Sequence, residues 1–416
     1  MNNTFRFGFY PINSQFVKNE EINKIAGGYF NYLEAIGGEQ WNSSDINKKN
    51  PIIYLMITGG TEEQLLNILK QRNQHNSNEP AIILAFPTHN SLPAALEALA
   101  RLHQDNKKGQ IIFLNGVNDK TGIRQLEEIL KDLELYFSLK NTRIGLVGSP
   151  SDWLVASSPK PTILQNKWGP EVVDVSMSEI KRNLKSITIN SIKTIIESLV
   201  NNAVEIREPS NSDLQENVKV YIALKKTLKQ HKLDAITVRC FDLILEKKIT
   251  GCFALAQLLD DKVIAGCEGD LVSTMGMIWC QKLLGVIPWM ANPAGLNIEN
   301  NTLWLAHCTV PRSIVKKYSL RSHFESGLGV GIQGTIANGP VTLLRIGGKQ
   351  MEKIWLAEGN IIQTGKREDL CRTQVEIKLS TGNVLDLLQK PLGNHIILVQ
   401  GHHQKLLFSW WKNMIE

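Results

Sequence analysis

The chain has 416 residues, 43 % hydrophobic and 21 % charged. That mix excludes wholesale disorder and, at about 150 residues per domain, implies two or three cores. Forty-six Lys and Arg against 40 Asp and Glu leave a net charge of +6, spread along the chain apart from short runs such as Lys225-Lys226 and Lys247-Lys248. No concentrated basic face for nucleic acid is present, and no stretch approaches the ~18 apolar residues of a membrane span. Met1 to Pro11 lacks the basic-then-apolar pattern of a signal peptide. Six cysteines, none in a Cys-x-x-Cys pair, indicate free buried thiols in a reducing compartment, so a cytoplasmic protein is expected.

The first third alternates apolar strands with amphipathic helices. Strands are expected at Pro51–Ile57, Ala81–Phe86, Ile111–Leu114 and Arg143–Gly148. Helices are expected after Thr61, over Leu92–Leu102 and over Ile123–Leu135. This alternation implies right-handed βαβ units and a parallel sheet. No Gly-x-Gly-x-x-Gly follows the first of these strands, so a dinucleotide site gains little support. Ser149 to Pro161, rich in Pro, Ser and Lys, reads as a boundary. Beyond it come helices over Met177–Val200 and Ser212–His231, a strand at Ala235–Cys240, a helix near Phe253–Leu259, a strand at Val263–Ala265 and a helix over Leu271–Leu284. From Asn297 the texture changes to short strands separated by Gly and Asn turns, as in a small antiparallel barrel. The expected fold class is therefore α/β: two stacked parallel-sheet domains (1–160 and 161–296) and a C-terminal antiparallel β-barrel-like domain (297–416).

Cys267-Glu268-Gly269-Asp270 is the most informative stretch. Two carboxylates flank a glycine at the carboxyl end of a strand, where α/β sheets bind ligands. The same residues also suit a helix N-terminus, whose dipole favours negative charge. Among the histidines, His307, His323 beside Glu325, and His395 stand on or near strands. No compact metal motif is present, so any ligands must converge from distant segments. Gly327, Gly329, Gly331 and Gly334 read as a turn-rich entry to a β-unit rather than a phosphate loop. Arg345 and Arg372 are either anion clamps or strand-terminating residues.

Gly266-Cys267-Glu268-Gly269-Asp270, Pro288-Trp289-Met290-Ala291-Asn292-Pro293, Ala306-His307-Cys308, Asn394-His395 and Gly401-His402 follow one another in an order that resembles the L-fucose and L-arabinose isomerase superfamily. The shorter, fucose-isomerase-like members are the nearest in form. Asp234–Cys240 and His89–Ala94 share the resemblance, which covers most of the chain and is strongest from Asp234 onward. It implies a metal-dependent aldose–ketose isomerase working through a cis-enediol, with a divalent cation, Mn2+ or alternatively Mg2+, held by two carboxylates and a histidine. Carried over, these are Glu268 and His395, while the second carboxylate falls on Asn292. The catalytic positions implied are Glu268 and Asn292, and the sugar-binding positions are Asn90, Ser91, Arg239, His307 and Asp270. The resemblance also implies a homo-oligomer, a trimer or hexamer, in which a neighbour's His89, Asn90 or Ser91 reaches the sugar. An Asn at 292 still offers a carbonyl oxygen to a hard cation, but it brings no charge and no acid–base capacity. Asp270 or Glu325 then become candidates for the missing carboxylate. A sugar-binding or regulatory relative without turnover is the alternative reading, and a different metal-assisted carbohydrate chemistry is a third.

Overall fold

The structure, a computed structural model, describes residues 5–76 and 78–416. It divides into two compact units, one running to Ser138 and including Trp410–Glu416, the other spanning Leu139–Ser409. The first unit is built from β1 (Phe7–Ile12), α1 (Asn19–Ala35), β2 (Gly38–Gln40), β3 (Ile52–Met56), α2 (Glu62–His75), β4 (Ala81–Ala85), α3 (Ser91–Gln104), β5 (Gly109–Phe113) and most of α4 (Lys120–Lys140). Its five strands form one parallel sheet in the order β2-β1-β3-β4-β5. All five residues of β3 and all five of β4 are buried, which is why these strands are uninterrupted apolar runs rather than alternating ones.

The second unit opens with another parallel sheet. Its elements are β6 (Arg143–Val147), α5 (Pro161–Trp168), β7 (Glu171–Val175), α6 (Met177–Lys185), α7 (Lys193–Asn201), α8 (Asn211–His231), β8 (Ala235–Val238), α9 (Phe241–Lys247), α10 (Cys252–Asp260), β9 (Ile264–Cys267) and α11 (Leu271–Leu284). The strand order is β7-β6-β8-β9. The Pro-, Ser- and Lys-rich stretch lies inside this unit, between β6 and α5. The single helix expected over Met177–Val200 is instead two helices with a 3-10 turn at Ile189–Ser191 between them. The Ser186 hydroxyl bonds back to the Asn183 carbonyl, and the β-branched run Ile187-Thr188-Ile189 follows, so the first helix closes there. Helix α8 starts on a full capping box, with Ser210 and Asp213 satisfying one another's backbone N–H groups.

The remaining strands are β10 (Trp289–Asn297), β11 (Thr302–His307), β12 (Val315–Arg321), β13 (Gly331–Ile336), β14 (Gly339–Gly347), β15 (Lys353–Thr364), β16 (Thr373–Leu379) and β17 (Ile396–Gln400). Helix α12 (Val384–Gln389) precedes β17, and α13 (Gln404–Met414) follows it. Six strands close an antiparallel barrel in the order β10-β11-β16-β15-β14-β17, and β12 and β13 pair separately. The fold is thus mixed α/β with two parallel sheets and a C-terminal antiparallel barrel. Among the described residues no helix is long and apolar enough to cross a membrane.

Helix α11 joins sheet to barrel: Leu271 through Cys280 are all buried. Gly266 in β9 lies directly against it. A methyl added there would come within 2.1 Å of Thr274 Oγ1 and 2.9 Å of Thr237 Oγ1. Thr274 uses that oxygen to donate to the Asp270 carbonyl. Gly266→Ala should therefore destabilise the protein by about 1–3 kcal/mol, as overpacking does. A lowered midpoint in urea denaturation checks this.

Candidate active site

Strand order in the second sheet reverses direction between β6 and β8, and the carboxyl ends of strands at such a switch are where α/β sheets bind ligands. Those ends carry Trp153 after β6, Cys240 and Phe241 after β8, and Cys267 and Glu268 at β9. All five line a cavity of about 340 Å³, together with Asn292 and His307 of the barrel strands and with His323, Phe324 and Glu325. Cys252, Cys308 and Cys371 complete a wall containing five of the chain's six cysteines.

Glu268 reaches the cavity because its backbone turns sharply. Its φ is +63° and that of Gly269 is +70°, two consecutive residues in the left-handed region. Gly269 is required on space as well: a Cβ would sit 2.7 Å from the Ser149 carbonyl oxygen. The turn leaves the Glu268 carboxylate only slightly exposed, with Oε2 accepting a 2.7 Å bond from Trp153 Nε1. Trp153 in turn packs edge-on against Phe241.

Asp270 sits outside the cavity lining, fully buried. It caps α11 by accepting from Ser273 N–H at 2.8 Å and from the Ser273 hydroxyl at 2.7 Å. It also accepts from His395 Nδ1 at 2.8 Å and stands 3.5 Å from Arg345 Nη1. Burial alone would raise its pKa. The Arg345 charge, with the bonds from His395 and Ser273, outweighs that and holds the carboxyl well below the ordinary range. With Nδ1 so engaged, His395 aims its other nitrogen at Glu268: Nε2 is buried, has no hydrogen-bond partner, and lies 3.8 Å from Glu268 Oε2. Carboxylate-to-histidine bonding of this kind is how proteins orient a ring for a ligand on its far side.

His307 lies 5.7 Å from His395, ring to ring. Burial, followed by the neighbouring His395 charge, lowers its pKa to about 3, so the ring is neutral near pH 7. Its Nδ1 faces both the Thr309 backbone N–H at 3.3 Å and the Thr309 hydroxyl at 2.8 Å. A neutral ring that accepts there carries its proton on Nε2, leaving a donor for an oxygen in the cavity.

The other sequence-derived positions have different surroundings. Arg239 is bound to Asp152, Asp242 and the Pro150 carbonyl, and so braces the loop that presents Trp153. Asn90 and Ser91 belong to the other compact unit. Asn90 is exposed with φ +56°, whereas the buried Ser91 hydroxyl donates to Met56 and accepts from Phe86 N–H. Neither expected anion clamp is free. Arg345 is spent on Asp270, Ser273, Ser157 and the Leu392 carbonyl, and Arg372 on Ser322 and Glu368. Among the described residues no three His, Cys, Asp or Glu side chains are arranged to hold a metal ion. Glu268 and His395 nevertheless present two converging donors, and Asn292 lines the cavity with Glu268.

No family model matches the chain. It is similar to curated proteins named sulfoquinovose isomerase from Priestia aryabhattai and Priestia megaterium (strain ATCC 12872 / QMB1551). Each is 20 % identical over 372 residues, spanning 85 % of this chain and 82 % of the relative. A sulfoquinovose isomerase from Clostridium sp. (strain MSTE9) is 18 % identical over 311 residues, or 74 % and 66 % of the two chains. The likeness is thus to isomerases and extends over most of the chain.

Asp270 should act as the electrostatic anchor of this site. Its folded pKa is depressed, so its ionisation stabilises the fold fully above the unfolded value of about 3.9, and that contribution is lost as pH falls through the folded value. Asp270→Asn should cost about 3–5 kcal/mol at neutral pH, as for a broken buried ion pair. The difference from wild type should be constant above about pH 5 and shrink below about pH 4. Urea denaturation of both proteins across that range tests the sign and the window.

Proposed function

We propose that the protein is an aldose–ketose isomerase acting on an open-chain sugar through a cis-enediol. The observation that carries this reading is the pairing of a cavity-facing carboxylate, Glu268, with the buried and unpartnered Nε2 of His395. The likeness to sulfoquinovose isomerases supports the reaction class and makes sulfoquinovose the first sugar to assay.

In this mechanism Glu268 takes the proton from C2 and returns it to C1, in a cavity whose wall includes Trp153, Phe241 and Phe324. His307 donates from Nε2 to a sugar oxygen and stays neutral. Glu325, also in the wall, is the second carboxylate available for proton transfer. A divalent cation, Mn2+ or Mg2+, would be held by Glu268, His395 and the Asn292 amide oxygen. When bound it supplies Lewis-acid polarisation of the sugar oxygens. Oxygen and imidazole donors suit these hard cations, while a neutral amide in place of a carboxylate weakens the hold.

The second reading is a sugar-binding relative without turnover, favoured by the same missing charge at Asn292. Exchange of the C2 proton with solvent, measured on sulfoquinovose and then on unsubstituted aldoses, separates the two. Glu268→Gln should reduce turnover by about 10²–10⁴-fold, the usual contribution of a positioned base. It should also weaken Mn2+ binding in equilibrium dialysis. Asn292→Asp should tighten Mn2+ by roughly ten- to a hundredfold, because a charged ligand is worth about 1.5–3 kcal/mol by analogy with charge-assisted hydrogen bonds. If neither form binds Mn2+ or exchanges the proton, the binding reading stands in place of the isomerase.

A further inference from the structure

The isomerase reading leaves the thiols of the cavity wall without a task. Cysteines far apart in sequence converge there from separate elements, and two of them approach unusually closely. Cys267 ends β9, directly opposite Val238 of the neighbouring parallel strand β8. Cys240 follows two residues after Val238 and folds back, its N–H donating to the Val238 carbonyl at 2.8 Å. That reversal brings the Cys240 and Cys267 sulfurs to 3.0 Å, about 1 Å longer than the ~2.05 Å of a disulfide bond. Both residues are buried against protein, at 3 % and 5 % exposure, and both line the cavity.

We infer that Cys240 and Cys267 are a modification site: a dithiol that closes to a disulfide under a small hydroperoxide admitted by the cavity. The Cys267 sulfur attacks the peroxide, the O–O bond breaks, and an alcohol (water, for hydrogen peroxide) leaves a sulfenic acid on Cys267. The Cys240 sulfur then attacks that sulfur, the S–O bond breaks, and water departs as the S–S bond forms. Two thiols are oxidised, one peroxide is reduced, and both thiol protons end in the released alcohol and water. Closure shortens the contact beside Glu268, the residue immediately after Cys267, whose backbone already sits at φ +63°. The disulfide therefore displaces the carboxylate from its place 3.8 Å from His395.

The test treats the folded, full-length protein with hydrogen peroxide for several hours, quenches it with catalase, and maps its peptides without reduction. The expected result is loss of two of the six thiols, one cross-linked peptide joining Cys240 to Cys267, and its disappearance on adding dithiothreitol. Cys240→Ser should abolish that cross-link. The wild-type map decides the matter even if the variant folds poorly. Six thiols remaining after treatment, or pairing confined to Cys252, Cys308 and Cys371, overturns the assignment. The effect on turnover alone rests on the isomerase reading, and activity should fall with the cross-link and return on reduction. A cross-link with undiminished turnover defeats the coupling to Glu268. A cross-link in a protein inactive from the outset upholds the pair and counts instead against the isomerase.

Discussion

The buried carboxylate of Asp270 is the interaction on which the second unit depends. It caps α11 after the last strand of the parallel sheet, pairs with Arg345 of β14, and bonds His395 at the start of β17. One side chain thus ties sheet, helix and barrel together, two residues from the cavity-lining Glu268. A carboxylate deprived of water costs several kcal/mol unless its lone pairs are met. Here Ser273 supplies two donors, His395 a third and Arg345 the opposing charge, so the same bonds that satisfy Asp270 also fix the His395 ring. Site geometry and domain packing are therefore one energetic problem, solved by one residue.

Much of the fold was legible because burial on both faces leaves a plain mark. The runs at Ile52–Met56 and Ala81–Ala85 are apolar throughout, and both prove to be interior strands. The shift to short strands and turns in the last third likewise corresponds to the closed barrel. Pairing was not legible. Strand Arg143–Val147 looks like its predecessors in sequence, yet it pairs with Glu171–Val175 and Ala235–Val238 in the second sheet. Hydrophobic pattern records how deeply a strand is buried and carries no address for its neighbour.

The site divides along the same line. Glu268 was readable from its place at a strand end beside a glycine, and the helix-start role equally open to both carboxylates belongs to Asp270. Trp153 was not readable as a partner of Glu268. The only hint was a large aromatic in a Pro- and Ser-rich loop, which Arg239 braces through Pro150 and Asp152. The convergence of Cys252, Cys308 and Cys371 with the sheet-end thiols is invisible in spacing, since it depends on how barrel and sheet pack.

The amide at position 292 becomes intelligible when the whole wall is considered. Thiols, aromatic rings and a neutral His307 make up much of it, and charges held among such groups interact more strongly than in water. Among the described lining residues Glu268 and Glu325 are the carboxylates, and no Lys or Arg is among them. A third carboxylate at 292 would add like-charge repulsion to theirs. Asn292 fills the position without that cost, and Glu325 keeps a carboxylate on the cavity wall. On the proposed reading, a charge restored at 292 would serve a cation as ligand and, until one bound, would make ionisation of the other two carboxylates harder.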